Sequence, residues 1–380
     1  MRKIFTLFFC AASLATGLAQ QESYFTNPVI HGDVADPSII RIDQTYYITG
    51  TSSEWAPYYP VFTSTDLVNW QQTGHVFDEK PEWTKSSFWA PEWYQHKGKV
   101  YVYYTARKQS DNISCIGVAV ADSPTGKFKD YGPVVEFGKE AIDAFILEDK
   151  GKLYISWKAY GLDNQPIELL ACKLTDDGLR LDGKPFSLLR DDERQGMEGQ
   201  HWFKKDGYYY ISIPEGGVST GWQTVMRSKN IYGPYEQKRV LEMGSTKVNG
   251  PHQGALVDTP EGEWWFYHFQ STEPQGRVVH LQPVVWKDGF PEMGTDYDKN
   301  GIGEPMKICR KPSTGVETKA YAPQSSDDFE ATELGLQWQF NHNPHDGYWS
   351  LTEKPGWLAI KSQKAEKLRT AFNQFTQKTM

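Results

Sequence analysis

The sequence predicts an all-β protein: a five-bladed β-propeller with an incomplete C-terminal β-sandwich segment. Three observations carry that expectation. Five aromatic-rich runs share one form, a Gly or polar turn followed by a β run: QTYYITG from Gln44, GKVYVYYT from Gly98, GKLYISWK from Gly151, GYYYISIP from Gly207 and GEWWFYHF from Gly262. Their starts are 54, 53, 56 and 55 residues apart, and self-similarity at such a period marks a repeat architecture. A second series keeps the same phase: TSTDLVNW, VADSPTGKF, CKLTDDGL and RSKNIYGPY each close a strand with a polar turn. Most other apolar runs are short and β-branched or aromatic, as strands are. Five such units lie within the usual range of blade numbers. A stacked solenoid needs terminal capping repeats, and none is visible.

The ends of the chain read differently. MRKIFTLFFCAASLATGLAQQ begins with two cations, continues with an apolar run and ends in small residues. Residues 1–19 are therefore expected to be a secretory signal peptide, cleaved after Ala19. The apolar part is too short to span a bilayer comfortably, so the expectation is an exported protein, periplasmic or extracellular, with no membrane span. Residues 20–310 hold the repeats. Residues 311–326, KPSTGVETKAYAPQSS, read as a polar linker. Residues 327–380 have strand-like Trp and Phe runs but only about half the length of a sandwich of ~100 residues.

Composition narrows the function. Forty Lys and Arg against 48 Asp and Glu give a net charge of −8. There is no basic block, which argues against a nucleic-acid partner. Beyond the leader stand Cys115, Cys172 and Cys309, an odd and widely spaced set that makes no disulfide framework. Fourteen Trp suit a protein that stacks rings on sugars.

Asp36 sits in ADPSII, just ahead of a β-branched run, where Asp is a poor strand residue. Asp-Pro starts many turns, but the repeat offers more. Counting from Asp36 by the blade period reaches Ala90, Asp143, Glu198 and His252. Each lies in the short run before its unit's aromatic strand, and equivalent strands of a propeller line the central channel. Asp36, Asp143, Glu198 and His252 are thus expected to converge near the axis, with Glu92 of WAPEW close by. Like charges and desolvation drive the pKa values of clustered acids apart. Two carboxyl groups flanking a glycosidic bond then supply an acid and a base. A hard cation is the competing occupant, although such sites usually draw several oxygens from one local loop.

Taken in order, HGDVADPSIIR, FWAPEW, AIDAFI, GMEGQHWFKKDGYYY, NGPHQG and GRVVHLQPVVWKDGFP resemble glycoside hydrolase family 43 over roughly residues 25 to 310. The resemblance implies a five-bladed propeller acting with inversion on β-xylosides and α-L-arabinofuranosides, with no cofactor required for the chemistry. It implies Asp36 as general base, Glu198 as general acid, and Asp143 as the residue that tunes and orients that acid and holds it protonated. His252 would be an axial histidine beneath the pocket, helping to hold a structural Ca²⁺ or its water. Arg277 would lie near the substrate and Asp143. Trp89 would stack on the sugar or pack within its blade, and Glu92 would be structural or a contact at the rim. The base and acid carboxyls would stand ~6.5–9.5 Å apart to admit a water. The expected partner is a pentose-containing oligosaccharide or polysaccharide. A non-catalytic carbohydrate-binding propeller is the alternative from another functional class.

Overall fold

Lys99–Lys108 shows why the aromatic runs fold as they do. Alternate side chains of a strand point to opposite faces. Val100, Val102, Tyr104 and Ala106 enter one apolar cluster, and Tyr101 and Tyr103 enter another. Both faces are buried, so the run reads as continuously apolar.

The computed structural model describes residues 24–161, 167–190, 196–316 and 320–377. The expected signal peptide lies outside them. Five four-stranded antiparallel sheets follow one another along the chain. Blade I is Ala35–Ile42, Thr45–Thr51, Tyr58–Ser64 and Gln71–Phe77. Blade II is Thr84–His96, Lys99–Lys108, Ser114–Ala121 and Lys129–Val135. Blade III is Glu140–Asp149, Lys152–Tyr160, Glu168–Lys173 and Phe186–Arg190. Blade IV is His201–Lys205, Tyr208–Glu215, Trp222–Ser228 and Glu236–Leu241. Blade V is His252–Asp258, Trp264–Thr272, Gly276–Lys287 and Phe290–Met293. The first strand of each sheet is the inner one, and the second is one of the five aromatic runs. The chain is a five-bladed propeller.

The core lies between blades. One cluster joins blades I and II through Tyr58, Val61, Trp93 and Val102; the next joins II and III through Tyr103, Ile146 and Trp157. Leu169 and Trp202 meet between III and IV, Tyr210 and Phe266 between IV and V, and Phe62 and Tyr267 between V and I. Trp93, Trp157 and Trp202 are fully buried. Each removes ~150–250 Å² from water, worth roughly 4–6 kcal/mol at ~25 cal/mol per Å². Cys115, Cys172 and Cys309 are buried free thiols.

A strap closes the ring. Tyr24–Thr26 pairs with Ile308–Arg310, and Ile30 bridges Val279 of blade V. The Asn27 side chain donates to Leu281 O and accepts from Leu281 N, both at 2.8 Å. Beyond the propeller, Trp338–Asn341 pairs with Phe375–Gln377 on one side and with Trp55–Ala56 of the blade I connection on the other. Phe340 packs against Phe375 and Trp349, so the C-terminal segment is docked on blade I.

Candidate active site

The inner strands of blades I, II, III and V carry a register shift near their inner ends. In blades I to III the extra residues include Asp36, Ala90 and Asp143, each with positive φ (52°, 26° and 58°). Asp tolerates this region better than most residues, which explains a strand-breaking residue in a strand. The bulge re-aims its side chain toward the axis. In blade IV the ladder puts Gly199, φ 55°, at the matching place. A Cβ there would meet Gln253 at 2.4 Å. Counting by the period reaches Glu198, and the ladder puts it one residue ahead of that place.

The contacts around these bulges pass from blade to blade. Thr51 Oγ1 donates to Asp36 Oδ2 and accepts from Ala90 N at 2.7 Å, tying blade I to II. Ser38 Oγ donates to Glu92 Oε2 at 2.7 Å across the same seam. Thr105 Oγ1 accepts from Asp143 N at 3.1 Å between II and III. Asp143 Oδ2 accepts from Gly199 N at 2.9 Å, and Asp143 O accepts from Gln200 Nε2 at 2.6 Å, between III and IV. Lys158 Nζ donates to Glu198 Oε2 at 3.1 Å. His252 Nε2 lies 2.9 Å from Glu198 Oε1, joining IV to V. Arg277 Nη1 lies 3.8 Å from Asp36 Oδ2, joining V to I. Asp36, Asp143, Lys158 and His252 are buried, and Glu198 is half-buried.

Burial raises the Asp36 carboxyl above its usual range, with partial relief from Arg277 and Thr51. Burial, then the charges of Glu198 and Asp36, push Asp143 up to about 8. Burial alone would raise Glu198 too, but the His252 hydrogen bond and the Lys158 charge outweigh it and hold it at about 2. Lys158 and His252 both contact Glu198, and Asp143 is the more deeply buried of the two acids, so the pair ionises together, with Asp143 drawn up and Glu198 drawn down. The Arg277 guanidinium faces Asp36, and Asp33 at 3.7 Å.

Glu92 is buried and held by Ser38. Burial raises it well above the usual range, so it is not a rim contact. Trp89 is half-buried, with the Arg107 guanidinium 5.5 Å from its ring centroid. His252 Nδ1 is buried without a partner. Among the described residues no group of three or more His, Cys, Asp or Glu side chains could hold a metal. His252 alone would leave most of the six to eight oxygens of a Ca²⁺ ion to water.

Two features escaped the sequence reading. Lys158 occupies in blade III the ladder position of Thr51 and Thr105, paired one residue ahead of the bulge. The spacing 51, 105, 158 would have found it. The other is the C-terminal segment: Gln339 and Gln377 line a cavity of about 200 Å³ with Asp33, Thr51 and Trp55. No local signal marks that approach.

A five-bladed propeller with three carboxylates and two cations gathered at its inner bulges has the architecture of a propeller glycoside hydrolase. Comparison with known proteins agrees. The model described as glycosyl hydrolases family 43 matches residues 25–291, and that of the β-xylosidase C-terminal concanavalin A-like domain matches residues 326–380. The chain belongs to glycosyl hydrolase family 43, whose members cleave glycosidic bonds. It is 38% identical to a putative β-xylosidase of Xylanibacter ruminicola, over 95% of this chain and 67% of that protein. It is 32% identical to a non-reducing-end α-L-arabinofuranosidase of Bacteroides ovatus, over 89% of this chain and 65% of that one. A family 43 crystal structure from Bacillus licheniformis superposes with a TM-score of 0.80 at 28% identity, covering 94% of this chain and 72% of that one. The chain thus spans about two thirds of the length of these two relatives. Among the described residues no helix is long and apolar enough to cross a membrane.

Proposed function

We propose that the chain is an exported, inverting exo-glycosidase that releases xylose or arabinose from xylan- or arabinoxylan-type oligosaccharides. The observation that carries this reading is the gathering of three carboxyls from blades I, III and IV, Asp36 and Asp143 buried and Glu198 held between Lys158 and His252. Carboxyls in such unequal surroundings supply a base, an acid and a proton reservoir. The names of the relatives, a β-xylosidase and an α-L-arabinofuranosidase, support the pentose. The leader-like residues 1–19 support export.

In this mechanism Asp36, ionised and faced by Arg277, takes a proton from a water. The water oxygen attacks the anomeric carbon as the glycosidic C–O bond breaks. Glu198 gives its proton to the leaving oxygen. Asp36 then returns its proton to solvent, and the Asp143–Glu198 pair takes one back. Each Glu198 oxygen has one donor in the resting site and keeps a second lone pair. A leaving sugar that takes Oε2 and loosens Lys158 raises Glu198 and draws the shared proton onto it. One displacement at carbon inverts the anomeric configuration.

The test is hydrolysis of an aryl β-D-xylopyranoside and an aryl α-L-arabinofuranoside, then of arabinoxylan fragments with product analysis. Proton NMR during the first minutes should show α-xylose released from a β-xyloside. Glu198→Gln should lower the rate roughly 10²-fold or more while sugar still binds. No release from any of these substrates would refute the reading. Turnover equal in wild type and Glu198→Gln would favour the non-catalytic binding module.

A further inference from the structure

A cavity of about 820 Å³, larger than the space around the carboxylates, opens beside blade V. Its walls come from the strap at Pro28 and His31, the 245–248 connection, the upper part of blade V and the stretch from Tyr297 to Lys307. The turn that leads into Arg277 forms part of its rim through Gln275. The C-terminal segment is docked on blade I and contributes no wall residue.

Three features of this cavity point to one kind of ligand. The first is charge. The walls include Lys247 and Lys307 and no Asp or Glu, in a chain of net charge −8. The second is a fixed polar floor. His280 is 2% exposed, its Nε2 is 3.1 Å from Gln270 Oε1, and its Nδ1 has no partner. Gln270 is itself fixed by donating to Asn249 Oδ1 at 2.8 Å and to Lys247 O at 3.1 Å. The floor is therefore held in place, with Nδ1 of His280 closed off behind it. Burial and the neighbouring His268, Lys307 and His31 hold His280 well below its usual pKa, so the floor is neutral and polar beneath a cationic rim. The third is an apolar wall of Val248, Val278 and Tyr297, the last 51% exposed. An exposed Tyr offers a ring for stacking with its hydroxyl in water. The volume falls in the range of small-molecule sites.

A ligand that fits has an apolar ring face, hydroxyls and a negative charge. We propose that this cavity is a second carbohydrate site, which takes the uronate branch of an acidic oligosaccharide against Tyr297 and Lys247, over the polar floor of Gln270 and His280. The choice of a sugar rests on the function proposed above; the cavity's part in it is binding, not catalysis.

The experiment is isothermal titration of the full chain carrying Glu198→Gln. The probes are a xylo-oligosaccharide with one glucuronic acid branch and the unbranched oligosaccharide of equal length. The acidic probe should bind at least about tenfold more tightly, and that preference should weaken between about 0.05 and 0.5 M NaCl as the charges are screened. Adding Lys247→Glu and Tyr297→Ala, both at exposed positions, should abolish the preference. The same two substitutions in the wild-type background should leave aryl glycoside hydrolysis unchanged, which also shows that the fold survives. Equal affinity for the two probes, a preference that survives both substitutions, or no binding of the acidic probe would each overturn the proposal. Rim-dependent binding without glycoside cleavage would refute the catalytic reading and keep this one; cleavage without rim-dependent binding would do the reverse.

Discussion

Lys158 Nζ and Glu198 Oε2 stand 3.1 Å apart across the seam between blades III and IV. His252 takes the other Glu198 oxygen. The carboxylate proposed as general acid is thus clamped between two donors. Lys158→Met removes the cation while keeping a comparable stem. Without it, both Glu198 and Asp143 hold a proton more tightly, because Lys158 lowers both. The alkaline limb of kcat/KM for an aryl xyloside should move to higher pH by about one unit. A uniformly lower rate with an unmoved limb would make Lys158 a packing residue only.

Asp143→Asn tests the proton reservoir. Removing that carboxyl leaves Glu198 beside Lys158 and His252 with no acid partner, so the alkaline limb should fall toward lower pH and kcat should drop roughly 10²-fold. The stability effect has a definite sign. The folded-state pKa of Asp143 is raised from 3.8 to about 8, so its favourable contribution is complete below about 4 and is lost as pH rises to about 8. Asn cannot ionise. In thermal melts, the Tm of Asp143→Asn relative to wild type should therefore increase between pH 5 and pH 9. A constant difference would place Asp143 in a more solvated setting.

The wild-type kcat/KM profile should be a bell. Its acid limb follows protonation of Asp36, which burial places above the usual aspartate range. Its alkaline limb follows loss of the proton shared by Asp143 and Glu198, near pH 8. An acid limb at or below the model-peptide aspartate value of ~3.9 would contradict the burial of the base.

Thr51→Val should act on the acid limb alone. The hydroxyl donates to Asp36 and accepts from Ala90 N. Its loss removes a bond that favours the ionised form, so the acid limb should move to higher pH. It also leaves a buried N–H unpaired, at about 1–3 kcal/mol. Chemical denaturation should show that loss of stability; an unmoved acid limb would separate Thr51 from the function of Asp36.

The sequence by itself determined the five blades and the convergence of Asp36, Asp143, Glu198 and His252. The reason is that a strand's burial pattern is local, and a repeat copies it: Val100, Val102 and Tyr104 announce one buried face, Tyr101 and Tyr103 the other, and the spacing carries the inner-strand positions to the axis. Only the tertiary structure decided which charges surround each acid, because ionisation depends on burial and on groups brought from other blades. Lys158 comes from blade III to meet an acid on blade IV, and Arg277 comes from blade V to face Asp36. The one-residue offset of Glu198 from Gly199 was likewise beyond reach, since a bulge changes the register without changing the period. The docking of Phe340 against the Trp55–Ala56 stretch also lay outside the sequence reading. That contact joins residues almost three hundred positions apart, and no local pattern encodes which surface an apolar segment will find.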